Sequence, residues 1–375
     1  MDPLRSPEAY DALGVRPVLN AATTLTALGG TTLPPEVVDA MSSASSSCVS
    51  MDELHLAAGR RLAELTRNES ALVTSGCAAA LVLGVLACVT DGRPERIAQL
   101  HHDNKLARDV VIHRAHRIPY DRAIELAGGR IVEIGNAIQT FAWELEAAIT
   151  ERTAAVFWVA GDHLPRATLS LSETVAIAHD RGVPVIVDAA AQLPPMSNLW
   201  AFTTQHGADL VAFSGGKGLM GPQASGLMVG RAELIEAARL NAAPFQRLAR
   251  PMKVGKEEIC GLVAAVERYV QLDHDAQWRK WSNTVDDWVA ALSEMPRVVV
   301  GRLEYNEAGQ PVPRVEITFS NVDEAALVSN HLWEDNPRVA VLQFHERIYV
   351  TPDTLPDGTS NLVLARLSAA LSTIR

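Results

Sequence analysis

The sequence predicts an α/β protein: a mostly parallel sheet with helices on both faces, followed by a smaller C-terminal α/β domain. Three observations carry this. Short apolar runs alternate with helical patterns through the middle of the chain, as in successive βαβ units. Several of the runs are continuously apolar rather than alternating, as expected of strands covered on both faces. The chain has 375 residues, 48% of them hydrophobic, which exceeds what one core usually organises.

Seven candidate strands follow in order: 71–74 (ALVT), 109–113 (DVVIH), 131–134 (IVEI), 154–159 (AAVFWV), 183–187 (VPVIV), 209–213 (DLVAF) and 226–229 (GLMV). Helical stretches at 77–90, 118–127, 142–150 and 171–181 lie between most of them. Residues 255–294 read as one long helix or two consecutive ones, with no proline before Pro296. Beyond it, "VPRVEITFS" and "ERIYVTP" read as strands, and 322–332 and 360–373 as helices. The expected division is an N-terminal segment (1–50) packing on the large domain or a partner subunit, a large domain (51–254), a connecting helix (255–295) and a small C-terminal domain (296–375). The serine-rich 41–50 reads as a helix end leading into the capping signal Ser50-Met51-Asp52-Glu53.

Composition narrows the function. Thirty-three basic against 44 acidic residues leave a net charge of −11, which argues against a nucleic-acid partner. The four cysteines form no C-x-x-C pair, which fits reduced thiols in a cytoplasmic protein better than a disulfide frame or a zinc site. "MDPLRSPEAYDALG" carries no secretory signal. Residues 70–90 are uncharged and long enough to span a bilayer, but Thr74, Ser75 and Gly76 split them into a strand and a helix, so no membrane segment is expected.

Three elements bear chemistry. In "VAFSGGKGLMGPQASG", Lys217 is one of only five lysines and follows an apolar strand. It is either a solvated turn residue or an amine at a strand end, where ligands of open α/β sheets bind and a shielded amine becomes a nucleophile able to form a Schiff base. In "LVTSGCAAALVLGV", Ser75, Gly76 and Cys77 open a helix whose free N–H groups suit a phosphate, or are an ordinary cap. In "VPVIVDAAAQLPP", Asp188 ends a strand, as a turn residue or as the partner of a pyridinium nitrogen. An anion cradle, a ring-nitrogen partner and an amine for an aldehyde are together what pyridoxal phosphate needs.

The stretches "RPVLNAATTLTALGG", "LVTSGCAAAL", "VVIHRAHRIPYDRAI", "VIVDAAAQLPP", "DLVAFSGGKGLMGPQASGLMVGR" and "RPMKVGKEEICGLVAAVERY" resemble the selenocysteine synthase-like group of fold type I pyridoxal phosphate enzymes, nearest the branch of D-glucosaminate-6-phosphate ammonia lyase. The resemblance runs from about residue 8 to the C-terminus. It implies that Lys217 carries the coenzyme, that Asp188 contacts the ring nitrogen, and that Ser75, Gly76, Cys77 and Ser214 hold the phosphate. His116 would stack on the ring, with His113 as the competing choice, and Gln192 would reach the phenolic oxygen. It also implies a homodimer or higher even assembly. Two departures stand out: Arg67-Asn68 replace a common Gly-Ala pair, and Cys77 occupies a position often filled by alanine.

Candidate substrate-binding residues are Asn20, Asp162, His163, Arg250, Lys253, Arg314 and Arg347. Arg250 and Lys253 belong to a basic cluster with Arg247 and Lys256, which reads as a solvated helix start or an anion site. Arg314 and Arg347 flank predicted strands, where each serves either as a carboxylate clamp or in a surface salt bridge. Asp162-His163 read equally as a capping turn or a pocket pair. His101, His102, Asp103, His113 and His116 match no metal-ligand spacing, so no metal is expected. The expected function is a pyridoxal phosphate lyase releasing ammonia from an amino acid or amino sugar acid by α,β-elimination. The alternatives are a racemase, epimerase or aminotransferase and, from other classes, a selenium transferase-like enzyme or a binding protein on the same fold.

Overall fold

The structure is a computed structural model that describes residues 8–103, 105–161 and 168–374. The chain divides into two compact units, Leu33–Gln271 and a second that joins 8–32 to 272–374. Strands are numbered along the chain, and β1 (Val18–Asn20) belongs to the second unit.

The first unit is built on β2 (Ser70–Thr74), β3 (Asp109–His113), β4 (Arg130–Ile134), β5 (Thr153–Val159), β6 (Val185–Asp188), β7 (Leu210–Ser214) and β8 (Gly226–Gly230). Their order across the sheet is β2-β8-β7-β6-β5-β3-β4. Only β8 runs antiparallel to its neighbours, so the C-terminal ends of the other six strands lie along one edge. That edge is where an open α/β sheet places its ligands.

The apolar runs are continuous because both faces are covered. Val73, Val111, Val156, Val187, Val211 and Phe213 enter one core, against helices Met51–Thr66, Leu171–Asp180 and Lys256–Gln271. Their alternates Leu72, Ile112, Phe157, Ile186, Leu210 and Met228 enter the other, under helix Cys77–Thr90. A fully buried side chain such as Phe157 or Phe213 contributes about 1.5–3 kcal/mol. Helix Cys77–Thr90 is apolar on nearly every side because it lies against that face of the sheet and helix Ala232–Asn241. Its 14 residues span about 21 Å. No helix of the described residues is long and apolar enough to cross a membrane.

The expected strands and helices of this unit are present, with ends shifted by two residues or fewer for the strands. Ser50 caps helix Met51–Thr66 by accepting from the Glu53 N–H, and helix Pro35–Ser45 ends inside the serine-rich stretch. The 255–294 stretch is two helices, Lys256–Gln271 and His274–Leu292. Asp273 caps the second by accepting from the Ala276 N–H, and the division between the two units falls at this break. Helix Pro35–Ser45 packs on Lys256–Gln271.

The second unit holds an antiparallel sheet ordered β12 (Leu342–Phe344), β13 (Arg347–Val350), β10 (Arg314–Thr318), β9 (Val299–Leu303). Helices His274–Leu292, Val322–Glu334 and Ser360–Leu371 contribute Trp288, Val328 and Leu367 to its core, with Val315, Ile317, Ile348 and Val350 from the sheet. β1 pairs in parallel with β11 (Arg338–Ala340), tying the N-terminal segment into this unit.

Candidate active site

Lys217 lies three residues past the end of β7, in a loop closed by its own backbone. Gly215 N–H donates to Ser225 O at 2.9 Å, Gly221 N–H to Gly215 O at 2.8 Å and Met220 N–H to the Lys217 carbonyl at 2.8 Å. The lysine is therefore carried on a fixed turn and is only partly exposed.

Asp188 ends the neighbouring strand β6 and is 4% exposed. Burial pushes its carboxyl upward, and the Ala190 N–H, the Lys217 charge and the Cys77 thiol oppose that shift. Its Oδ1 accepts from the Ala190 N–H at 3.1 Å and from Cys77 Sγ at 3.9 Å. Oδ2 has no hydrogen-bond partner among the described residues. Cys77 is buried and its thiol is pushed well up, first by burial and then by the Asp188 charge, so it stays a protonated donor. Lysine, aspartate and cysteine, from three separate elements, thus share one electrostatic environment.

The loop between β2 and helix Cys77–Thr90 forms a cradle. Gly76 takes φ 114°, a conformation side chains disfavour, and no side chain caps the helix. The first N–H groups of that helix are thus available to an anion. Thr74 Oγ1 donates to Gly76 O at 2.9 Å. Gly226 of β8 sits so close that an added Cβ would meet the Gly76 carbonyl carbon at 2.5 Å and the Cys77 nitrogen at 2.7 Å. Gly226 is paired with Thr74 on one side and Ser214 on the other, which brings the Ser214 backbone beside this loop. The Ser75 hydroxyl donates to Met252 O at 2.9 Å, so the segment around Arg250–Met252 is held against the cradle. Arg250 and Lys253 are exposed at this segment, and neither side chain has a hydrogen-bond or ion-pair partner among the described residues. The Lys256 amine, in contrast, is occupied by Ala44 O and the Glu257 carboxylate.

His116 follows β3 in a short 3-10 turn and is 2% exposed. Its Nδ1 accepts from the Val159 N–H at 3.3 Å, which puts the ring proton of the neutral form on Nε2, facing Thr168 Oγ1 at 3.4 Å. Val159 is the register partner of Asp188, so His116 stands one strand away from it. The Trp158 ring meets it edge-on at 5.2 Å and His113 at 4.8 Å. His113 is fully buried with neither ring nitrogen hydrogen-bonded, and burial takes it down to about 4. Gln192 lies in the turn after β6, where its N–H donates to Ala189 O and its carbonyl accepts from Asn198.

Ser75, Gly76, Cys77, Asp188, Ser214 and Lys217 are therefore brought to one edge of the sheet, with His116 beside them. Asn20, Arg314 and Arg347 belong to the second unit. Asn20 uses its amide locally, donating to Thr23 O and Gly30 O and accepting from Ala22 N–H. Arg314 is 9% exposed, pairs with Glu307 at 3.2 Å, lies 4.4 Å over the Tyr349 ring and leaves Nε without a partner. Arg347 is half-exposed and pairs with Glu316 at 3.3 Å. Asp162 and His163 lie outside the described residues. No cluster of three or more metal-binding side chains forms among the described residues.

Sequence reasoning missed the Ser75–Met252 bond, the Ala190 N–H and thiol on Asp188, and Thr168 and Trp158 around His116. The first joins residues 177 apart, and no local pattern announces it. One departure from the resembled pattern has a structural role. Asn68 donates to Leu199 O and accepts from Thr203, fastening the start of β2 to helix Asn198–Thr204, while Arg67 covers the Trp200 ring at 4.1 Å.

The sheet order and the position of the site at its edge define an enzyme of fold type I. The chain belongs to the SelA family, L-seryl-tRNA selenium transferase, whose model matches residues 18–279. It is 32% identical over 374 residues to D-glucosaminate-6-phosphate ammonia lyase of Salmonella typhimurium, covering 96% of this chain and 97% of that one. It is 34% identical over 368 residues to a 5'-C-glycyluridine monooxygenase-decarboxylase of a Streptomyces species, covering 94% and 90%. An L-seryl-tRNA(Sec) selenium transferase of Alkaliphilus metalliredigens is 27% identical, but the match covers only 58% of its length. Among solved structures, a D-glucosaminate-6-phosphate ammonia-lyase superimposes with a TM-score of 0.84 at 31% identity, covering 98% and 99% of the two chains. A structure of SPT with PLP, at 16% identity and a TM-score of 0.61 over 95% and 89% of the chains, shares the fold alone.

Proposed function

We propose that this chain is a pyridoxal phosphate-dependent lyase that releases ammonia from an amino acid or amino sugar acid by α,β-elimination. One observation carries the reading: a buried carboxylate with one oxygen unpartnered among the described residues, a lysine on a fixed turn and a helix end with no side-chain cap meet at one edge of the sheet. The residues fit the coenzyme. Lys217 supplies the amine for its aldehyde, Asp188 Oδ2 the acceptor for its ring nitrogen, and the Ser75–Cys77 loop with Ser214 the donors for its phosphate. His116 is placed to cover the ring, and Gln192 to approach its phenolic oxygen. Arg250 and Lys253 supply exposed cations for an acidic substrate.

Pyridoxal phosphate, when bound, withdraws electrons from the substrate's α carbon. Asp188 keeps the ring nitrogen protonated, because a buried carboxylate with a free oxygen is stabilised by a cation beside it. Lys217 would be the base for the substrate's α proton, its amine standing on the fixed turn beside Asp188. The Val159 N–H on His116 Nδ1 holds its ring in place beside Asp188. Departure of a β substituent then leaves an enamine that hydrolyses to a 2-oxo acid and ammonia. A homodimer or higher even assembly and a cytoplasmic setting belong to the same reading, with the cysteines kept as free thiols.

The test is a panel of D- and L-amino acids and amino sugar acids, with and without a phosphate, presented to the reconstituted protein. Equal release of ammonia and 2-oxo acid without oxygen uptake is expected for at least one compound. The 34% identity to the monooxygenase-decarboxylase favours a second reading on the same residues. Oxygen uptake with carbon dioxide release would select it.

A further inference from the structure

We infer that Cys77 acts through its thiol as a positioning residue for Asp188, fixing which carboxylate oxygen is offered to the coenzyme ring. This rests on the pyridoxal phosphate reading of the site. Three observations support it. The S–H and the Ala190 N–H converge on the same oxygen, Oδ1, at 3.9 and 3.1 Å, and Oδ2 has no donor among the described residues. Both side chains are buried, which strengthens the contact between them. The residue's backbone is itself clamped, since Gly226 packs against the Gly76–Cys77 peptide and Thr74 holds Gly76 O. The sulfur is thus aimed from a fixed helix end at a fixed strand end.

The chemistry follows from what a thiol can do there. Burial and the neighbouring carboxylate keep it protonated, so it donates. Donation to Oδ1 favours the ionised carboxylate, which burial alone disfavours. It also prevents rotation of the carboxylate that would exchange its two oxygens. An alanine at this position would leave Oδ1 with the Ala190 N–H alone, a more basic Asp188 and a freer carboxylate.

The test compares Cys77→Val, which fills similar volume without a donor, with Cys77→Ser, which keeps one. In the reconstituted protein, the dissociation constant for pyridoxal phosphate is measured against pH. The valine variant should bind about tenfold more weakly, with its acid limb moved to higher pH because Asp188 takes up its proton sooner. Serine should restore both wholly or in part. Loss of packing alone would weaken binding equally at every pH and leave the limb in place. In full-length protein without coenzyme, the Asp188 carboxyl is followed by 13C NMR, assigned by difference against Asp188→Asn, and should titrate higher in the valine variant than in wild type. A valine variant that matches wild type in this titration and in the binding limb overturns the inference. Failure of wild type to take up coenzyme overturns the proposed function instead, and the carboxyl titration then decides the role of Cys77 by itself.

Discussion

At the scale of the residue, the sheet edge shows how burial selects protonation states. His113 is fully buried with both nitrogens unpartnered and is held down to about 4, burial outweighing the Glu144 charge. The unfolded chain takes that proton near about 6.5, so the unfolded state binds more protons between the two values. The stability His113 contributes is complete above about 6.5 and is lost as the pH falls toward about 4, a change of up to about 3 kcal/mol. Urea midpoints measured across this range should fall with acid in wild type, and less steeply in His113→Leu. Equal slopes would show that His113 titrates normally in the folded chain. Lys217 and Asp188 were legible as residues because each ends or follows an apolar strand. The roles of Ser75 and Cys77 were legible only in their backbone. Their side-chain bonds, to Met252 O and to Asp188, join segments distant in sequence and follow from the fold rather than from any motif.

At the scale of the element, the anion cradle depends on how closely β8 approaches the turn after β2. Gly226→Ala places a methyl within 2.5–2.7 Å of the Gly76–Cys77 backbone, which has no flexible end to yield. The variant should lose about 1–3 kcal/mol of stability and bind pyridoxal phosphate more weakly with the fold kept, measured by urea unfolding and coenzyme titration. Unchanged coenzyme affinity would mean that the cradle does not hold the phosphate. Helix Cys77–Thr90 was legible to the residue because Ser75-Gly76 breaks the apolar run sharply and the helix is buried nearly all round. The missed strands have a common reason. β1, β11 and β12 are three residues each, too short for a period to register, and β9 carries Gly301 among partly exposed residues. Of the two readings of 255–294, one long helix or two consecutive ones, the second holds, because Asp273 caps a new helix there, a break that the helical pattern around it does not announce.

At the scale of the whole molecule, the sheet unit was readable because consecutive βαβ elements build it, so sequence order and spatial neighbourhood largely coincide. In the second unit two strands and two helices were readable, but the place of the N-terminal segment was not, because β1 pairs with β11 from the opposite end of the chain. Such pairing depends on which surfaces meet, which no local window of sequence contains. Of the five lysines in the sequence, Lys217 alone is placed to carry the coenzyme, and covalent trapping tests this most directly. Wild-type protein reconstituted with pyridoxal phosphate, reduced with borohydride and digested, should carry the reduced coenzyme's mass on the peptide containing Lys217, and Lys217→Ala should carry none. A label on Lys105, Lys253, Lys256 or Lys280 in its place, or no label at all, would contradict the account.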